Sequence, residues 1–261
     1  QGGECDLQDQ AMAYGTGISR FVEQKRAVKD KNLGPLIQTH MTRCIHCTRC
    51  VRFSEEIAGN ETQLGAIGRG EDTEITTYLE ESMDFEMSGN VIDLCPVGAL
   101  TSKPYEFVAR PWELKKTETI DVFDAVGSSI RIDSKSEKIL RVLPKINEEI
   151  NDEWISDKTR FAYDGINNQR IDRCYLRNAD GKLIEESEEN IIKAIHYNLS
   201  NIKPSNVAAL VGNTIDCESV FSFKNFLDQL GIENYDCRQD DSFFIPSQRF
   251  SYIFNSTIKG I

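Results

Sequence analysis

Apolar and polar positions repeat with different periods along this chain, and the changes of period divide it in three. Residues 6–14 alternate at a spacing that suits a short amphipathic helix. Leu36, Ile37 and Met41 then form an apolar lead-in, and the segment after it reads as a helix through Ile57, ending at Gly59. From about Thr117 the period shortens. Ile120–Val126, Ile130–Asp133 and Ile139–Leu143 read as short strands, separated by turns at Gly127-Ser128 and Ser134-Lys135-Ser136. From 187 the pattern becomes α/β: a helix over 188–200, a buried strand Val207–Val211, a helix over 216–230 and a strand near Tyr235. The expected domains are therefore 1–116, a small β-rich unit over 117–172, and a partial α/β unit over 173–261.

Composition narrows the class. The 261 residues are 39% hydrophobic and 28% charged, enough apolar matter for a packed core. The net charge of −12 speaks against a nucleic-acid partner, which needs a basic face. No apolar run reaches the length of a membrane span, and no secretory leader is visible. The cysteines are therefore expected in a reducing compartment, as ligands or free thiols. The chain begins at Gln1, which reads as a cut, a processing point or an edge.

The cysteines carry the chemistry. Three of the 8 fall within Cys44-Ile45-His46-Cys47-Thr48-Arg49-Cys50. Three thiolates on one tight loop can wrap three corners of an iron–sulfur cube, with a fourth supplied by a distant Cys-Pro, here Cys95-Pro96. Proline then turns the chain away from its ligand. A two-cluster ferredoxin would need a second triplet at 85, 88 and 91, which hold Phe85, Ser88 and Val91. The expectation is one [4Fe–4S] site made by Cys44, Cys47, Cys50 and Cys95. Structural zinc, the alternative, favours two separated C-x2-C pairs. The C-x3-C-x2-C of radical-SAM enzymes is absent.

Other residues are read around that site. Arg43, Arg49 and Arg52 flank the thiolates, where they would raise the potential of an anionic cluster, or are surface arginines. His40 and His46 are read as non-ligands, since four sulfurs complete the site. Arg20, Lys25 and Arg26 read as a solvated face, and Gly65-x2-Gly68-Arg69-Gly70 as a loop near the cluster. Gly98 and Ala99 let backbone N–H groups approach the sulfurs. Cys5, beside Gly2-Gly3, leaves a ligand and a free thiol equally open. Cys174, Cys217 and Cys237 are read as buried inert thiols.

The stretches QGGECDLQDQ, EQKRAVKDKNLGPL, MTRCIHCTRC, GRGEDTEI, SGNVIDLCPVGALTSKP, ARPWELKKTETIDVFDAVGSSI and INDEWISDKTRFAYDG closely resemble one family. It is the large iron–sulfur (75 kDa) subunit of respiratory complex I, NADH:ubiquinone oxidoreductase. The resemblance covers the chain and is densest over 1–172. It implies an α+β architecture: a ferredoxin-like iron–sulfur domain, a cluster-less β domain, and the start of a degenerate molybdopterin-oxidoreductase-like domain. It implies a [4Fe–4S] cluster on Cys44, Cys47, Cys50 and Cys95. It also makes Cys5 the last ligand of a second [4Fe–4S] site of one His and three Cys, whose other ligands lie upstream or in another chain. A [2Fe–2S] cluster enters only if an upstream domain is supplied elsewhere.

The implied activity is one-electron relay from the NADH/FMN side toward ubiquinone, with no substrate chemistry on this chain. Implied partners are the flavin subunit, the quinone-side iron–sulfur subunits, and a separate chain carrying any missing N-terminal part. The implied place is the peripheral arm, on the matrix face of the mitochondrial inner membrane or the cytoplasmic face in bacteria. Abundant Asn, Ile and Lys fit an AT-rich coding genome. Rival readings are a relay subunit of a hydrogenase or formate dehydrogenase, a zinc-bound non-redox scaffold, and a molybdenum-enzyme fragment. The lack of Cys at 85, 88, 91 and throughout 117–172 opposes the first.

Overall fold

A computed structural model describes residues 3–57, 63–123, 126–168, 170–212 and 214–236. The chain divides into two compact units, Gln1–Asn167 and Asn168–Ile261.

The first unit is built from short elements. Helix α1 (Asp6–Tyr14) is capped by Cys5 and buries none of its residues. Strand β1 (Ile37–Thr39) and a 3-10 turn (Met41–Arg43) lead to the cysteine loop and helix α2 (Arg49–Glu56). Gly59, the expected end of that helix, lies outside the described residues. Strands β2 (Leu64–Ile67) and β3 (Glu74–Thr77) pair antiparallel, so the glycine-rich stretch is a hairpin rather than a plain loop. Gly68 and Gly70 take positive φ at its turn, where glycine meets no Cβ penalty. Helix α3 (Asn90–Leu94) ends at Cys95, and β4 (Leu100–Ser102) returns to pair antiparallel with β1. Ile37, Phe53, Leu64, Ile75, Val91 and Leu100 form the buried core here, and Cys44, Cys50 and Cys95 pack against it.

A three-stranded antiparallel sheet follows: β5 (Lys115–Ile120), β6 (Ser129–Lys135) and β7 (Lys138–Pro144), with β6 central. The first strand lies earlier than the hydrophobic pattern predicts. Lys115, Lys116 and Glu118 make it polar and it is exposed throughout, so no apolar alternation marks it. Its place comes from its pairing with β6, which sets Thr119 opposite Ile130. Such a charged edge also resists pairing with other chains. Helix α4 (Asp157–Phe161) lies close to β7, and α5 (Asp164–Asn167) ends the unit. Ser156 caps α4 by accepting from the Thr159 N–H.

In the second unit, β8 (Tyr175–Arg177) and β9 (Leu183–Glu185) form a hairpin with Gly181 at positive φ. Helix α6 (Glu188–Asn201), strand β10 (Ala209–Leu210), helix α7 (Cys217–Leu230) and strand β11 (Tyr235–Asp236) then alternate. The two last strands are parallel, as a strand–helix–strand crossover requires. Asp216 caps α7 through the Ser219 N–H, and Gly231 closes it at φ 69°. The expected burial of the strand at Val207–Val211 is not met: Ala209 is half-buried and Leu210 exposed. Among the described residues only β11 pairs with it, and a two-stranded ribbon covers little. No helix among the described residues is long and apolar enough to cross a membrane.

Candidate metal centre

Four separate backbone devices bring four cysteines to one pocket. Cys44 ends the 3-10 turn at Met41–Arg43 in an extended conformation. His46 and Thr48, at φ 55° and 59°, fold the chain left-handed on either side of Cys47. For residues with a Cβ such conformations cost of the order of 1–3 kcal/mol each, and surrounding structure must hold them. The loop also turns an amide inward, for the His46 N–H donates to Cys44 Sγ at 3.4 Å. Cys50 sits in the first turn of α2, and Cys95 stands where α3 stops before Pro96. Cys44, Cys47, Cys50 and Cys95 line the same pocket, walled by apolar side chains including Leu33, Met41, Leu64 and Leu100.

Burial and the neighbouring sulfurs make Cys44 and Cys50 hard to ionise by themselves. Burial pushes the Cys50 thiol up to about 12, with Cys95, Cys44 and Cys47 adding to it. Burial also raises Cys44, against the pull of the His46 amide. Four thiolates here need a cationic centre to compensate them. Among the described residues no three His, Cys, Asp or Glu side chains gather closely enough for a single metal ion. Lys31 and Arg49 are the pocket's cationic lining, and Lys31 is already paired with Glu74 at 2.8 Å.

Cys5 does not line that pocket. It is 4% exposed, and its sulfur accepts from the Gln8 N–H at 3.3 Å. The segment carrying it is fixed at every step. Gly3 adopts φ +95°, and a Cβ there would meet the Ala109 carbonyl oxygen at 2.4 Å. The Glu4 carboxylate accepts from the Ser102 N–H at 2.9 Å, and burial raises that carboxyl to about 7. The Leu7 N–H donates to the Pro96 carbonyl at 3.2 Å. The Cys5 helix is thus bonded to the residue that follows Cys95.

The arginines divide. Arg49 lines the four-cysteine pocket and Arg52 is exposed. Arg43 does not line the pocket. The histidines engage other groups: His40 Nε2 lies 3.0 Å from Glu106, and His46 Nε2 lies 3.5 Å from Arg26. Arg26 also donates to the Thr73 carbonyl, so it is not simply a solvated charge. Cys174 is half-buried and Cys217 exposed, which corrects the expectation of buried thiols; Cys237 lies outside the described residues.

Sequence reading missed the buttress behind Cys95. Arg160, 4% exposed, donates to Asp93 Oδ2 at 2.6 Å and to Asn90 Oδ1 at 3.1 Å. Asn90 in turn donates to the Ile155 carbonyl at 2.8 Å. Asp157 accepts from Ser88 Oγ at 2.6 Å and the Gly89 N–H at 2.7 Å. These partners lie some 65–70 positions apart, with no local signal to link them. The one available hint was Asn90 and Asp93 standing just ahead of Cys95 in an otherwise apolar helix.

Three family models match in succession. Residues 34–101 match "NADH-quinone oxidoreductase subunit 3, ferredoxin-like domain". Residues 114–164 match "NADH-ubiquinone oxidoreductase NDSU1/NuoG-like, 4Fe-4S domain", although this stretch contains neither Cys nor His. Residues 170–261 match "Molybdopterin oxidoreductase". Together they give the α+β fold class expected above: a ferredoxin-like domain, a β-rich domain and the start of a molybdopterin-oxidoreductase domain. The G subunit of NADH-quinone oxidoreductase from Rickettsia felis is 55% identical over 261 residues, 100% of this chain and 39% of that protein. The mitochondrial NADH dehydrogenase [ubiquinone] iron-sulfur protein 1 of Solanum tuberosum is 52% identical over 261 residues, 100% of this chain and 35% of that protein. A solved chain of an NAD+-reducing [NiFe]-hydrogenase in the H2-reduced state is 29% identical, with 41% of this chain and 47% of that chain covered at a TM-score of 0.34. The chain spans less than two fifths of the curated relatives it matches. Aligned from end to end at better than half identity, it belongs to the family that unites the bacterial NADH-quinone oxidoreductase G subunit with mitochondrial iron-sulfur protein 1.

Proposed function

We propose that this chain is the electron-relay part of an NADH:quinone oxidoreductase, holding a [4Fe–4S] cluster on Cys44, Cys47, Cys50 and Cys95. The observation that carries the reading is the convergence of these four thiols on one apolar-walled pocket. A single zinc would draw four sulfurs to within roughly 4 Å of one another. The C-x2-C-x2-C triplet with a distant Cys-Pro supports the larger inorganic core instead.

Such a cluster, when bound, supplies reversible one-electron acceptance. The protein's part is positional. The left-handed turns at His46 and Thr48 aim Cys47, the apolar wall excludes water, and the buttress through Arg160 and Asp157 fixes Cys95. Arg49 adds positive charge, which stabilises a more negative state. Cys5 would hold a second [4Fe–4S] cluster with ligands outside the described residues, and a [2Fe–2S] cluster would belong to a domain not in this stretch. Residues 1–116 would form the cluster domain, 117–172 a cluster-less support, and 173–261 a partial molybdopterin-oxidoreductase-like domain. The partners would be the flavin subunit and the quinone-side iron–sulfur subunits, in the peripheral arm facing the mitochondrial matrix or bacterial cytoplasm.

The test is Cys47→Ala in the assembled complex. One paramagnetic signal should vanish on reduction, iron and acid-labile sulfide should fall, and NADH-to-quinone turnover should slow. Unchanged spectra and turnover would defeat the reading, and stoichiometric zinc without sulfide would replace it.

A further inference from the structure

The walls of the four-cysteine pocket are unequal. Leu33, Met41, Leu64, Ile75, Val97 and Leu100 line it from the core, and none is more than 6% exposed. Leu94 is half-buried. Ile45 lines the same pocket yet is 56% exposed, so the apolar wall is thinnest at the cysteine loop. An apolar side chain left in water beside a redox site calls for a cover. The same face carries uncompensated charge. Residues 40–54 hold Arg43, Arg49 and Arg52 and no carboxylate, in a chain of net charge −12. Arg49 and Arg52 are exposed and, three positions apart, share one side of α2. Among the described residues neither has an ion-pair partner, although Glu55 and Glu56 follow on the same helix.

We infer that the face formed by Ile45, Arg49 and Arg52 docks a carboxylate-bearing surface of a redox protein, and that electrons cross between that partner and the four-cysteine site there. The unpaired guanidinium charge is what selects carboxylates on the partner. The position of Ile45 is what selects a redox partner, for the side chain that a docked surface would cover is also the wall of the pocket. Covering it excludes water between the two centres, while the arginines fix register and speed approach. In the transfer one electron leaves the reduced centre on one side, which is oxidised, and enters the centre on the other, which is reduced; no bond is made or broken. The inference rests on a cluster at Cys44, Cys47, Cys50 and Cys95, as proposed above.

The experiment is made on the intact complex. In Arg52→Lys a carbodiimide joins the introduced amine to a carboxylate in contact with it, and peptide mapping identifies the partner. The crosslink should end on Asp or Glu in a stretch outside these 261 residues that itself carries flavin or cluster ligands. A crosslink to Glu55 or Glu56, one to a stretch with no redox group, or none at all would overturn the inference. Freeze-quench paramagnetic resonance then follows the Cys47-dependent signal through reduction by NADH and reoxidation by quinone. Arg52→Glu should slow one of these steps roughly tenfold or more, with the midpoint potential unmoved. Lys138→Glu, the same charge change at the exposed start of β7, should slow neither. Wild-type rates in Arg52→Glu, or a moved midpoint, would overturn docking at this face while leaving the cluster reading intact. If Arg52→Glu fails to assemble, Arg52→Gln, which removes the charge without reversing it, decides by the same comparison. If Cys47→Ala removes no signal, the cluster reading itself falls and the inference falls with it.

Discussion

Arg141 donates from Nη1 to the Gly3 carbonyl at 2.9 Å, spanning 138 positions to hold the segment that carries Cys5. The same guanidinium donates from Nε to Asp133 at 2.8 Å and lies 4.5 Å from the centre of the Tyr105 ring. Asp133 is fully buried and also pairs with Arg131 at 2.9 Å. The cysteine-free sheet is therefore bonded to the segment that carries Cys5, two residues ahead of it.

Arg141→Met should leave Asp133 buried with one partner fewer and release Gly3. A loss of about 2–4 kcal/mol is expected from breaking a buried charge network of this kind. Denaturant unfolding measures it. A loss below about 0.5 kcal/mol, the scale of an exposed pair, would show that the contact is dispensable.

Gly3→Ala asks for a Cβ 2.4 Å from the Ala109 carbonyl oxygen, at a φ of +95° that alanine disfavours. Backbone strain alone costs roughly 1–3 kcal/mol. The chain should lose stability by at least that much, and the Cys5-dependent signal should weaken before the Cys47-dependent one. Equal loss of both signals would mean global unfolding rather than displacement of Cys5.

Asp157 titrates high because it is buried, despite the Ser88 and Gly89 donors that oppose the shift. The folded chain holds its proton more tightly than the unfolded chain does. Its contribution is fully present below the ordinary aspartate value and is lost as pH rises through its raised folded value. Comparing unfolding free energies of wild type and Asp157→Asn from about pH 3 to 7, wild type should lose stability relative to the variant as pH rises. A flat difference across that window, or one of opposite sign, would refute the shift.

Cys217→Ala should leave every cluster signal in place, because this thiol is exposed on α7. Stability should move by no more than about 0.5 kcal/mol. Disappearance of any paramagnetic signal would make Cys217 a ligand.

Much of this was legible in the residues themselves. The gathering of Cys44, Cys47, Cys50 and Cys95 in one pocket was legible in the spacing of the triplet and the Cys95-Pro96 pair. Helices α6 and α7 follow their periodicity closely, each with a capping side chain at its start, Ser187 and Asp216. Strand β5 escaped because Lys115, Lys116 and Glu118 leave it without an apolar face. The Arg160 and Arg141 networks escaped because their partners are distant along the chain, and only the folded packing of β6, β7 and α4 brings them together.

The stretch 114–164 contains neither Cys nor His, yet its arginines grip the segment carrying Cys5 and the helix that ends at Cys95. In a mutagenesis library, on the cluster reading proposed above, changes at Asp133, Arg141 or Arg160 would present as metal-insertion defects. They would sort with the cysteine alleles by phenotype while sitting in a stretch that a ligand search passes over.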